Sequence, residues 1–369
     1  MIRVALIGSG GIAVQNHIPG IRLHPDGEVV ALCDPNPRAL AEASRVAGVS
    51  RTYSDYKPVI EASDIDAVVI ATPNHVHSPI AHAAIAAGKH VLCEKPLGMS
   101  HAETEAMADA GERAGVVNMT AFTYRFIPAI RWMKHLLGEG ALGTVFHVRI
   151  RRLQDWGDRD LGWRQRRDMA GSGELGDMLA HRIDYVHYLI GPFARVVANT
   201  RQLLAERRDA SGTATRADVE DWVAVIGDLA CGATAVLESS KMAFGRGSGA
   251  TGEDYVEING SRGSFVYRLE RPHELLVGRP GGTLEATPVP REFLTLPGSP
   301  RDPHAGDPLQ GFRYDQGFEF VQAIVEKRRA SPDFRDGSRA QGVMEAILRS
   351  ADTKQWVDVA QPFRAAEIA

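Results

Sequence analysis

Four polar side chains, Asp177, His181, Asp184 and Tyr188, recur at intervals of four, three and four residues. That spacing puts them on one face of a helix, with Leu179, Ile183, Val186 and Ile190 forming the opposite, apolar stripe. Such a face can simply be solvated. It can also do chemistry, because an imidazole with a carboxylate one turn away is the arrangement that orients a general base. Gly171, Gly173 and Gly176 let another group approach the start of this helix closely. A second candidate is Lys95, in Glu94-Lys95-Pro96. Most loop lysines are solvated cations. Beside an electron-accepting cofactor, however, an ammonium would stabilise a developing alkoxide.

A cofactor of that kind is suggested at the amino terminus. Gly8-Ser9-Gly10-Gly11-Ile12-Ala13 follows the apolar run Ile2 to Ile7 and fits G-x-G-x-x-A. Gly8 permits a tight turn, Gly10 lets backbone approach a pyrophosphate, and Ala13 allows close helix–sheet packing. The N–H groups of Gly11, Ile12 and the residues after them would meet that anion at a helix N-terminus. Asp34 ends the next apolar run, 24 residues after Gly10, where an acid holds the adenosine ribose hydroxyls. Its charge would repel a 2′-phosphate, so NAD is expected rather than NADP.

These residues need strand ends to carry them. Ile2 to Ile7, Val29 to Cys33, Ala67 to Ala71, His90 to Cys93 and Val116 to Phe122 are short apolar runs separated by helical, alanine-rich stretches. They predict a parallel sheet covered on both faces, a doubly wound α/β Rossmann domain. Ligands lie outside the carboxyl ends of such strands, so Thr72, Asn74 and His77 after the third run, and Glu94 and Lys95 after the fourth, should face the cofactor. Beyond Tyr124 the rhythm changes. A helix over Arg131 to Leu137, a strand over Thr144 to Leu153 and a helix over Met178 to Ile190 are followed by strand-like segments. These run Arg195 to Thr200, Trp222 to Leu229, Ala233 to Ser239, Tyr255 to Gly260 and Ser264 to Arg268. Turn residues between Asp228 and Gly232 and at Asn259–Gly260 suit antiparallel hairpins. A long loop over Pro288 to Pro308 and helices over Tyr314 to Arg328 and Ser338 to Ser350 complete the chain. The expected division is a Rossmann domain over 1–123 and, over 124–369, an α+β domain with a large, mostly antiparallel sheet.

The 369 residues suit two domains. A net charge of −4 argues against a nucleic-acid partner, and no apolar run approaches the ~18 residues needed to cross a bilayer. Cys33, Cys93 and Cys231 have no metal-like spacing, so buried, reduced thiols and no metal are expected. The first residues run straight into a strand without a signal-peptide pattern, and cytoplasm is the expected location.

GSGGIA, CDPNP, TPNHVH, EKPLG, Tyr124-Arg125-Phe126 and GWR…AGSGELGD-x-x-x-H-x-x-D occur in this order. Together with the FRYDQ segment near the carboxyl end, they resemble the glucose–fructose oxidoreductase / inositol dehydrogenase (Gfo/Idh/MocA) family across nearly the whole chain. The resemblance implies that Lys95, Asp177 and His181 are the catalytic group. It further implies that Arg125, Trp163 and Arg164 reach the cofactor, and that the second-domain sheet makes a homodimer or homotetramer. Thr123 departs from the pattern, since relatives often carry Asn there. The implied reaction is NAD-dependent oxidation of a secondary hydroxyl of a sugar, a sugar derivative or an inositol-like polyol. His181, oriented by Asp177, would take the hydroxyl proton while Lys95 bonds the same oxygen; which of the two is the formal base stays open. A redox-neutral glycosidase, working by oxidation, elimination, hydration and re-reduction, is the alternative, and a non-catalytic sensor is the third class. Arg149, Arg151, Arg152, Arg159, Arg164, Arg166 and Arg167 interleave with Asp155, Asp158, Asp160 and Asp168. They read either as a salt-bridged surface or as a grip on an acidic sugar.

Overall fold

The computed structural model describes residues 1–209 and 211–360. Two compact units emerge, Met1–Phe126 with Thr295–Ser338, and Ile127–Leu294 with the described residues from Arg339 onward.

In the first unit, β1 (Ile2–Ile7), β2 (Gly27–Cys33), β3 (Thr52–Tyr53), β4 (Ala67–Ile70), β5 (His90–Cys93) and β6 (Asn118–Thr120) form one sheet. Every pairing is parallel, in the order β3-β2-β1-β4-β5-β6. Val4–Ile7, Ala67–Ile70 and Val91–Cys93 are buried throughout, as strands covered on both faces must be. The strand order reverses between β1 and β4, so the crevice for a ligand lies beyond their carboxyl ends. The expected fifth strand shrinks to three residues, and the two-residue β3 was not anticipated.

The segment 295–338, which the sequence reading leaves with the second domain, packs with the first unit. Helix Pro308–Val325 begins six residues earlier than expected and lies against helix Ile18–Leu23. Glycines permit that contact: a Cβ on Gly20 would lie 2.8 Å from Tyr314 O, and one on Gly317 2.5 Å from Gly20 C. Arg335 adds bonds to Glu105 and Asp109 on helix His101–Ala114.

The second unit is built on a nine-stranded sheet. Its strands are β7 (Val145–Leu153), β8 (Phe193–Arg201), then, after the separate hairpin of β9 (Glu206–Arg208) and β10 (Ala214–Arg216), β11 (Trp222–Leu229), β12 (Thr234–Ser240), β13 (Glu253–Gly260), β14 (Gly263–Arg268), β15 (Glu274–Gly278), β16 (Glu285–Pro288) and β17 (Val357–Asp358). The order is β16-β15-β14-β13-β7-β12-β11-β8-β17. Both expected hairpins, β11–β12 and β13–β14, are present. Between them lies β7, antiparallel to β13 and parallel to β12, so the five late strands are not one continuous meander. Burial alternates along β11, β12 and β13, and helices Pro128–Gly138 and Ala180–Leu189 cover the inner face.

Cys33 and Cys93 are buried as expected, and burial first, then neighbouring carboxylates, pushes the Cys33 thiol up to about 12. Cys231 is exposed instead, because it sits in the turn joining β11 to β12. Among the described residues, no helix is long and apolar enough to cross a membrane, and no cluster of His, Cys, Asp and Glu could hold a metal ion.

Candidate active site

On the first unit the candidate residues line the carboxyl ends of the parallel strands. Gly8 leaves β1 at φ +97°, and a Cβ there would lie 2.4 Å from Ala71 O, so only glycine makes this turn. Gly10 and Gly11 border open space: a Cβ on Gly10 would meet nothing within 4 Å, and one on Gly11 only Gln15 Nε2, at 3.9 Å. Ile12 is exposed, whereas Ala13 is buried against the fold. The helix then runs over 11–23 with a π-helical turn at Ala13–His17.

Asp34 ties the turn to β2. Its Oδ2 accepts from Ser9 N–H and its Oδ1 from Asn36 N–H, both at 2.8 Å. Each oxygen keeps a lone pair for a diol. Further along the edge, Thr72 Oγ1 and Thr123 Oγ1 are buried without a hydrogen-bond partner. Open space at a glycine turn, a strand-end carboxylate and orphaned hydroxyls fit a dinucleotide that brings its own donors and acceptors. Asp34→Ala should therefore weaken NAD binding by about tenfold or more, since hydrogen bonds to charged groups contribute about 1.5–3 kcal/mol. It should also narrow the preference for NAD over NADP. Fluorescence titration checks both; unchanged affinities would remove Asp34 from the ribose site.

Other candidate positions are bonded within the protein. His77 is fully buried, with Nδ1 3.0 Å from Pro96 O and Nε2 3.0 Å from Thr72 O, so it braces the two loops against each other. Burial pushes its imidazole down, against the pull of those two carbonyls. Asn74 is buried too. Arg125 is buried and directs its guanidinium to Asp336, 3.2 Å away. Lys95 is half-buried at the end of β5, and its N–H donates to Glu94 Oε2 at 3.2 Å. Burial pushes the Glu94 carboxyl up, but its hydrogen bond from His17 and the charges of His17, Lys95 and His77 hold it below the usual carboxylate range.

On the second unit, a π-helical turn at Leu175–Leu179 leads into helix Ala180–Leu189. His181 and Asp184 are buried and Asp177 and Tyr188 half-buried, so this face is not a freely solvated one. Trp163 and Arg164 occupy a short 3₁₀ turn, Trp163–Gln165. The guanidinium of Arg164 lies 4.3 Å over the Trp163 ring and its Nε 3.7 Å from Asp177 Oδ1. The rest of the arginine-rich stretch is engaged within the unit. Arg149 pairs with Glu257 and Arg151 with Glu253. Arg152 bonds the carbonyls of Gly249 and Gly252. Arg159 lies over Trp156, Arg166 pairs with Asp168, and Arg167 bonds Asp218 O.

Sequence reasoning missed the buried carboxyl that immediately precedes this turn. Glu174 is fully buried, with Oε1 2.5 Å from Ser239 Oγ. Burial and then the Asp177 charge push its carboxyl up to about 8, despite Ser239, Lys241 and Arg152. The only local signal was an acid inside a glycine-rich motif. An unfolded glutamate titrates near ~4.3, so between there and about 8 the folded chain holds a proton that the unfolded chain has released. Stability must fall as pH rises through that window. Glu174→Gln lacks this cost, so its melting temperature should gain on the parent's from pH 5 to pH 8. A gap that stays constant or shrinks would contradict a protonated Glu174.

A parallel sheet whose glycine turn and strand-end acid face one edge defines a dinucleotide-binding fold. Residues 2–122 match the model of the oxidoreductase family with an NAD-binding Rossmann fold, and residues 130–266 that of the GFO/IDH/MocA C-terminal domain. Levoglucosan dehydrogenase of Pseudarthrobacter phenanthrenivorans is 37% identical over 355 residues, 89% of each chain. Inositol 2-dehydrogenase of Rhizobium meliloti is 26% identical, over 97% of this chain and 99% of its own. The solved structure of levoglucosan dehydrogenase with NADH and levoglucosan superposes with a TM-score of 0.88 at 34% identity, covering 98% of this chain and 100% of that one. The chain belongs to the Gfo/Idh/MocA family of NAD-binding oxidoreductases.

Proposed function

We propose that the protein oxidises a secondary hydroxyl of a neutral sugar or inositol-like polyol. The observation that carries this reading is the Asp34 carboxylate at the glycine turn, in a chain whose near-full-length relatives are sugar and inositol dehydrogenases. NAD, when bound, supplies the hydride acceptor. The Lys95 ammonium stabilises the negative charge that develops on the substrate oxygen. His181 accepts the hydroxyl proton, with Asp177 one turn before it on the same helix. A neutral substrate is favoured because the arginines that could grip an acid already have partners in the protein. Incubation with NAD and a panel of anhydrosugars, hexoses, inositols and aryl glycosides tests the proposal. A keto product formed in step with NADH supports it. Released aglycone without net NADH would instead indicate the redox-neutral glycosidase.

We propose in addition that the outer sheet face joins copies of the chain. Val197, Ile226 and Val236 are neighbours across β8, β11 and β12. Ile226 and Val236 are 46% and 39% exposed, so adjacent apolar side chains stand on the solvent face of the sheet. Light scattering should give a multiple of 40.1 kDa, and Ile226→Arg should shift it toward one copy. A single 40.1 kDa species in the parent protein would refute the interface.

A further inference from the structure

We propose that His17 is a positioning residue for Lys95, acting through Glu94; this rests on reading Lys95 as the cation that stabilises the developing alkoxide. His17 ends the π-helical turn of the helix that starts at the glycine turn, where Ile18 N–H bonds back five residues to Ala13 O. Wider turns of this kind are rare in helices and concentrate at functional sites. The imidazole is 1% exposed and its Nε2 lies 2.9 Å from Glu94 Oε1. The other carboxylate oxygen accepts from Lys95 N–H, while Glu94 N–H itself donates to Ile70 O at 2.8 Å. Glu94 is thus held at both oxygens and at its backbone. Orienting the carboxylate from the helix side fixes the peptide that leads into Lys95, and His77 Nδ1 lies 3.0 Å from Pro96 O, one residue beyond Lys95.

Neither side chain of the dyad is hydrogen-bonded to Asp34 or to the glycine turn, so its loss should separate turnover from cofactor binding. A misplacement of about 1 Å at a reacting group costs up to about 10²-fold in rate. His17→Ala should therefore lower kcat by about 10- to 100-fold with NAD affinity, read by intrinsic fluorescence, unchanged. His17→Gln should recover most of that rate, because its amide N–H stands where Nε2 was. Glu94→Gln should lower kcat as His17→Ala does, and the double variant should be no worse than either single one, as expected for residues acting in series. Lys95→Ala separates the two levels. If it keeps its rate, the underlying reading of Lys95 fails. If it is inactive while His17→Ala keeps the parent kcat, the positioning role is overturned. Should His17→Ala fail to fold, His17→Gln and Glu94→Gln carry the test, and a parent-like kcat in Glu94→Gln overturns the proposal.

Discussion

Lys95→Ala and His181→Ala should each lose about 10²–10⁴-fold in kcat, the scale on which a cation at a developing oxyanion and a positioned general base contribute. Neither change should disturb NAD binding. The glycine turn, the Asp34 carboxylate and its bonds to Ser9 and Asn36 all lie away from both side chains in sequence. A loss in kcat with a matched loss in kcat/KM marks an interaction made in the transition state, whereas a rise in KM alone marks ground-state binding. Lys95→Arg should not restore the rate, because a guanidinium is always charged and broader than an ammonium. Near-parent turnover in either alanine variant would remove that residue from the reaction.

The second large effect concerns stability. Arg182 and Asp254 are both 0% exposed and form a buried ion pair, with Nε donating to Oδ1 at 3.1 Å and Nη2 lying 2.5 Å from Oδ2. Arg182 lies on the helix that carries His181, and Asp254 on β13. Removing one partner of a buried pair strands the other charge, at a cost of about 3–5 kcal/mol. Asp254→Ala should lower the urea midpoint accordingly and loosen the helix under His181, so activity should fall below the folded fraction. Replacing both residues by apolar ones of similar volume should recover much of the stability, since the pair itself stabilises little. An Asp254→Ala protein with the parent midpoint would contradict this account of how the helix is held.

The parts legible in the sequence are those set by neighbours along the chain. Val4–Ile7 and Ala67–Ile70 could be read as strands because an uninterrupted apolar run suits a sheet buried on both faces. The glycine turn with Asp34 could be read because the ligand itself dictates their spacing. What escaped depends on residues far apart. Nothing near Pro308 reveals that Gly317 meets Gly20, so the return of 295–338 to the first unit was invisible. The parallel entry of β7 beside β12 is a pairing across more than eighty residues, and no local turn signals it. His17 and Glu94 are 77 residues apart, and the π-helical turn that presents His17 has no pattern of its own in the apolar periodicity. The helix face at Asp177 and His181 was visible as a spacing, but its burial was not. That depends on β12 and β13 bringing Ser239 and Asp254 up to Glu174 and Arg182. The partners of Arg149 and Arg151 were equally hidden, since Glu257 and Glu253 lie on β13, about a hundred residues further along the chain.

The central claim is net oxidation of a sugar or polyol hydroxyl, and the most direct measurement follows the hydrogen. A substrate found in the panel is deuterated at the carbon bearing the reacting hydroxyl and incubated with the enzyme and NAD. Nicotinamide and sugar are then recovered and weighed by mass spectrometry. The expected result is one deuterium per reduced nicotinamide, matched by an equal amount of keto-sugar that has lost it. Deuterium found only in sugar, with the nicotinamide still oxidised and a glycosidic bond broken, would contradict net oxidation.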